Sequence, residues 1–167
     1  MALIKQLNGI TPEFGKKCYF SENATIIGNV ICGDKCSFWF HSVLRGDVNY
    51  IRLGNEVNVQ DGAIIHGTYK KNPTIIGDHV TIGHNAIVHG CTIKDNVLIG
   101  MGAIVLDKCI IESNSLIAAG AVLTKGTHVK SGDIYAGVPA KKIKNIPNGF
   151  NLKNIADQYI MYAGWYQ

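Results

Sequence analysis

A six-residue period constrains this chain more than any other feature. Stepping by six from Ile93 reaches Ile99, Val105, Ile111 and Ile117, and the same step from Val97 reaches Ala103, Cys109, Ser115 and Ala121. The aliphatic series continues upstream as Ile76, Ile82, Val88 and as Leu53, Val59, Ile65, with phase slips at Gly67–Thr74 and near Gly90. A looser stretch runs from Ile27 to Arg45, and glycine often follows the aliphatic residue, as in Leu53-Gly54 and Ile76-Gly77. Six residues are too few for a strand, a return turn and a second strand. They suffice for one short strand and one corner of a coiled ribbon. Three such units close a triangular coil of about 18 residues, each strand pairing in parallel with its equivalent one coil away. The aliphatic side chain then points inward and the small one fits the crowded corner. Composition agrees: 23 Ile and 12 Val outnumber 9 Leu, and β-branched residues favour pleated backbone. Nineteen Gly against four Pro indicate tight turns. A helical bundle and a disordered chain are excluded. The period predicts a mainly β fold, a parallel β-helix (hexapeptide-repeat solenoid) over residues 1–146.

The pattern stops near Pro147. Apolar residues at Leu152, Ile155, Ala156, Tyr159, Ile160 and Ala163 have helical spacing, with Asn151 as N-cap. Residues 147–167 are thus expected to add a C-terminal helix that packs on the solenoid or on a neighbouring subunit. No apolar run is long enough to span a membrane. Met1–Lys5 has no signal-peptide character, and a cytoplasmic location is expected. A net charge of +4, partly in Lys141, Lys142 and Lys144, without a basic stripe interleaved with aromatics, gives no reason to expect nucleic acid as a partner. Cys18, Cys32, Cys36, Cys91 and Cys109 are scattered. The Cys32–Cys36 spacing lacks a second pair and reads as buried thiols rather than a metal site.

Of six histidines, His41, His79 and His128 read as surface or satisfied residues, whereas His66, His84 and His89 relate to the repeat. His66 and His84 lie one nominal coil apart and are expected to stack, with His89 near the next corner. A single prism cannot easily aim adjacent corners at one external point; two prisms side by side can. An interfacial three-histidine site follows if the chain oligomerises, and catalytic zinc commonly takes three His and a water. Spacing alone equally allows three exposed histidines placed by chance. Arg45-Gly46-Asp47 and Asn58-Val59-Gln60-Asp61 add polar groups near His66, although an Arg–Asp ladder can also merely tie subunits together.

Taken together, the repeat, Arg45-Gly46-Asp47, Asn58-Val59-Gln60-Asp61, His66, Ile82 to Cys91 and the closing Ala136-Gly137-Val138-Pro139-Ala140-Lys141 resemble the γ-class carbonic anhydrases. The closing motif is shared with hexapeptide acyltransferases. The resemblance implies a left-handed coil and a homotrimer with one site per interface. It implies that His66 and His89 of one subunit and His84 of its neighbour hold Zn²⁺ (Fe²⁺ or Co²⁺ in some members), whose bound hydroxide attacks CO₂ to give bicarbonate. It further implies that Gln60 orients that hydroxide, that Arg45, Asp47 and Asp61 form a charged interface network, and that Asn58 lines the pocket.

The chain departs from the family at the proton-transfer acids. Val48 follows the Arg-Gly-Asp triplet, and the loop Gly67–Thr74, which carries Lys70, has no acid. Regenerating hydroxide needs a proton acceptor; His79, Tyr159 and Tyr162 are the substitutes to consider, and low activity is expected. Two alternatives stand beside the lyase: a CoA-dependent hexapeptide acyltransferase, to which a thioesterase is related, and a metal-binding trimer without enzymatic activity.

Overall fold

The computed structural model describes residues 1–166. The short strands stack in parallel, coil upon coil, and three interior ladders run the length of the prism. The first is Ile26–Leu44–Ile65–Val88–Val105–Leu123. The second is Phe14–Cys32–Leu53–Ile76–Ile93–Ile111–Val129. The third is Phe20–Phe38–Val59–Ile82–Ile99–Ile117. Every rung from Phe38 to Ile117 is buried completely. This single apolar cluster carries the hydrophobic stabilisation of the solenoid, and it is the predicted inward series of the six-residue period.

Close approach explains many glycines. A Cβ on Gly54 would stand 2.2 Å from Asp78 Oδ1, and one on Gly77 2.2 Å from Asp95 Oδ1. Those carboxylates are occupied in turn. Asp78 Oδ1 accepts from the backbone N–H of Asn55 at 2.7 Å, and Asp95 Oδ1 from that of Asp78 at 2.9 Å. The glycine after the aliphatic residue therefore leaves room for the capping side chain of the next coil. Left-handed corner residues are a separate set, and glycine shares it with Lys35, Glu56, His79, Asn96 and Asn114.

Two insertions interrupt the coil. Register jumps in the strand Val43–Leu53, where Gly28 pairs with Gly46 but Val30 pairs with Ile51. The segment 67–73 is the second. The two bulges brace each other: Asn49 Nδ2 donates to Thr68 O at 3.1 Å, and the Lys70 N–H to Val48 O at 3.3 Å.

Helix α1 (Lys153–Ala163) lies on the prism. Leu152, Ala156 and Ala163 are buried beneath it, and Tyr159 and Tyr162 join Tyr19, Trp39 and Phe40 in a small second core. Asn151 acts one position before the N-cap, which is Leu152; its Oδ1 accepts from the Lys153 N–H at 3.0 Å. Lys153 also lies 3.5 Å from Glu56, itself paired with Lys35 at 3.0 Å, tying the start of the helix to a corner. The Lys35 hydrogen bond, together with neighbouring cations, holds the Glu56 carboxyl below its ordinary pKa.

Candidate metal centre in two halves

The expected stack of His66 on His84 is not what the fold builds. His66 pairs in register with His89. The inserted loop after His66 lengthens this coil, so the residue one coil later lies 23 positions on. His84 stands on a different corner, following the strand Thr81–Ile82. The three histidines do not converge within one chain.

The first half centres on His66 and His89. His66 Nδ1 and His89 Nε2 face each other at 3.2 Å. His66 Nε2 donates to Asp47 Oδ1 at 2.9 Å, and His89 Nδ1 lies 3.3 Å from Asp107 Oδ1. A carboxylate accepts and cannot donate, so each acid fixes the proton on the ring nitrogen nearest to it. Two imidazole lone pairs are then left pointing at one another. That arrangement repels unless an additional proton or a cation lies between them. The spacing suits two ligands of one ion with metal–nitrogen bonds of about 2.0–2.1 Å.

Both acids are kept ionised. Burial works against the Asp47 carboxylate, but hydrogen bonds from His66 and Arg45 hold its pKa below the ordinary value. Burial likewise opposes the Asp107 carboxylate, and there Thr68, Asn72 and His89 prevail. Asp107 Oδ1 accepts from Thr68 Oγ1 at 2.5 Å and from Asn72 Nδ2 at 3.2 Å. Thr74 closes the loop: its hydroxyl donates to His66 O at 2.5 Å and accepts from the Gly90 N–H at 2.9 Å.

The second half centres on His84. Its Nδ1 lies 2.7 Å from Asp61 Oδ2, leaving Nε2 to accept from Tyr159 Oη at 3.4 Å, a hydrogen bond that a metal at Nε2 would displace. Desolvation raises the Tyr159 pKa, with Asp61 and Tyr162 adding to it, so the phenol stays a neutral donor. Gln60, 5% exposed, accepts the His84 backbone N–H through Oε1 at 3.2 Å and donates from Nε2 to Asn58 Oδ1 at 3.0 Å. Asn58 donates onward to Thr81 Oγ1 at 2.8 Å. Asn58 is 1% exposed, so it braces Gln60 from behind rather than lining a pocket. Gln60, His84, Leu98, Leu116, Ile155 and Tyr159 border a largely apolar cavity of about 320 Å³.

The expected charged network divides along the same line. Arg45 pairs with Asp47 and belongs with His66. Asp61 belongs with His84 and also accepts the Phe40 N–H at 3.2 Å. Asp107 was not anticipated, although its position is legible: it follows His89 by one nominal coil of 18 residues. His79 lies outside both halves, 2.9 Å from Glu56. Tyr159 does reach the His84 half, and Tyr162 packs beside it with ring centroids 5.3 Å apart.

Comparison with known proteins places this architecture first among hexapeptide-repeat proteins. Residues 90–125 match the family "Bacterial transferase hexapeptide (six repeats)". A hexapeptide transferase family protein from Anaplasma phagocytophilum has a crystal structure that superposes with a TM-score of 0.94 at 38% identity, covering 99% of this chain and 98% of that one. Two curated relatives narrow the class. Protein YrdA of Escherichia coli is 34% identical over 98% of this chain and 94% of its own length. A carbonic anhydrase of Geobacillus kaustophilus is 34% identical over 99% of this chain and 91% of its own. The chain belongs to the γ-carbonic-anhydrase-like family of hexapeptide-repeat proteins and has its left-handed parallel β-helix with a C-terminal helix. No helix among the described residues is long and apolar enough to cross a membrane.

Proposed function

We propose that this chain is a zinc-dependent carbonic anhydrase-like lyase that works as a homotrimer, with His66 and His89 of one subunit and His84 of its neighbour forming each metal centre. One observation carries the reading. All three histidines have one ring nitrogen engaged by an aspartate, which makes the other nitrogen the basic one, facing its partner in His66 and His89 and the Tyr159 hydroxyl in His84. Carboxylate-backed imidazoles are how metal-ligating histidines are oriented and made more basic. These residues would hold zinc, which when bound would supply a hydroxide nucleophile at neutral pH by lowering the pKa of water to about 7.

The remaining roles belong to this chain's own side chains. Gln60 is pinned at both ends, which leaves its second amide hydrogen fixed in direction beside His84 and suited to orienting the nucleophile. Asn58 and Thr81 hold it there. Arg45, half exposed beside Asp47, carries charge outward toward a neighbouring subunit. The apolar cavity next to Gln60 and His84 suits an uncharged substrate such as CO₂. Tyr159 stays a protonated phenol and cannot take up a proton, so this chain offers no efficient acceptor beside His84 and proton removal limits turnover. Added imidazole buffer is accordingly expected to raise the hydration rate, whereas an unchanged rate would place the limit elsewhere.

A second reading, CoA-dependent acyl transfer, draws on the same cavity, which is larger than CO₂ requires and runs between the prism and α1. The Asp61–His84 pair has the geometry of a general base. Metal analysis joined to stopped-flow CO₂ hydration separates the readings. About one zinc per chain with hydration above buffer supports the lyase. Metal without hydration supports a binding trimer, and absence of metal with turnover of an acyl-CoA supports the transferase.

A further inference from the structure

Near the N-terminal end of the prism, far along the chain from the histidines, three cysteines meet. Cys18 and Cys36 stack on one corner, since the Tyr19 N–H donates to Cys36 O at 2.9 Å. Cys32 enters from the second interior ladder, where the other rungs are Phe14, Leu53, Ile76, Ile93, Ile111 and Val129. The sulfurs of Cys18 and Cys32 are 3.9 Å apart, and all three lie within 4.8 Å of one another. All are free thiols. The spacing Cys32–Cys36 was weak by sequence because its third member sits 14 residues upstream.

We propose that Cys18, Cys32 and Cys36 form a three-thiolate site for a soft monovalent cation, Cu(I). Metal–sulfur bonds of about 2.3 Å place the sulfurs of a planar trigonal site about 4.0 Å apart, which the Cys18–Cys32 edge already matches. Zinc favours a fourth ligand in structural sites; no further His, Cys or carboxylate joins this group among the described residues, and soft sulfur ligands select Cu(I). Two of the thiols donate to backbone carbonyls, Cys18 to Gly33 O at 3.4 Å and Cys36 to Gly54 O at 3.2 Å, and these protons are the ones a bound cation would replace. Cys36 borders a cavity of about 240 Å³ that also has Lys17 and Lys35 on its wall, providing an entry and positive charge to offset the thiolates. Each S–H replaced by an S–Cu bond releases its proton to solvent.

The test titrates the zinc-loaded full chain anaerobically with Cu(I) against the chromophoric chelator bathocuproine disulfonate. One Cu(I) retained per chain, with sulfur alone in its X-ray absorption shell, is expected. Cys32→Val keeps an aliphatic rung and is expected to weaken retention by about tenfold or more at an unchanged thermal midpoint. If that variant fails to fold, the unmodified chain still decides, because bound Cu(I) is expected to protect Cys18 from iodoacetamide. Complete stripping by the chelator, nitrogen in the shell, wild-type retention by folded Cys32→Val, or unprotected Cys18 would each overturn the proposal.

Discussion

The two halves of the candidate centre are built by different means. His66 and His89 are consecutive rungs of one ladder, backed by Asp47 and Asp107 and locked by a loop whose threonines bond across coils. His84 stands on an outer corner, with Asp61 behind it and Tyr159 of α1 beyond it. The solenoid itself makes the first half, while the second half depends on a separately docked helix.

The largest expected effect comes from breaking the ladder half. His89→Ala removes one of the facing nitrogens and is expected to lower metal affinity by at least about 100-fold, read by metal analysis after dialysis. Retention of metal would show that the pair is not the anchor. Asp107→Asn keeps the shape but loses the charge behind His89; a loss of about 10–100-fold in metal affinity is expected. Equal loss in both variants would mean that Asp107 acts through folding. In the other half, Tyr159→Phe removes one hydrogen bond to His84. A change of about fivefold or less in CO₂ hydration is expected, in line with about 1 kcal/mol for such a bond. A collapse in rate would promote Tyr159 from neighbour to participant.

The smallest effect concerns how α1 is held. The Glu56 pKa is lowered in the folded chain, so its contribution to stability is present above the ordinary carboxylate range. It is lost as the pH falls through the lowered value. Acid is therefore expected to loosen the start of α1 by about 1 kcal/mol or less, since its partners Lys35 and Lys153 are well exposed. Glu56→Gln is expected to flatten that dependence in tryptophan fluorescence, because Trp39 packs on Tyr159 with centroids 5.4 Å apart. An unaltered acid profile would disconnect this corner from the helix.

The same contrast explains what was legible in the sequence. The interior ladders could be read directly, because a six-residue period has few other physical solutions and the buried Ile and Val of each rung declare it. Helix α1 was readable from its apolar spacing down to the buried Leu152, Ala156 and Ala163. The histidine geometry was misread because an insertion shifts phase without changing residue character. Counting through the Gly67–Thr74 loop as regular coil put His84 over His66, whereas the longer coil puts His89 there. Asp107 and Cys18 were missed for a related reason: each acquires meaning only from stacking on a neighbouring coil.

The shared-interface arrangement is tested most directly by complementation. His84→Ala and His89→Ala chains each lack one half, and co-expression lets mixed trimers join an intact pair from one chain to an intact His84 from the other. Each purified mixed trimer, selected through two affinity tags, closes on one productive junction of its three, so about one metal centre in three is expected to be restored, measured as bound zinc. Zinc no higher in the mixed trimers than in either variant alone would contradict a centre divided between subunits.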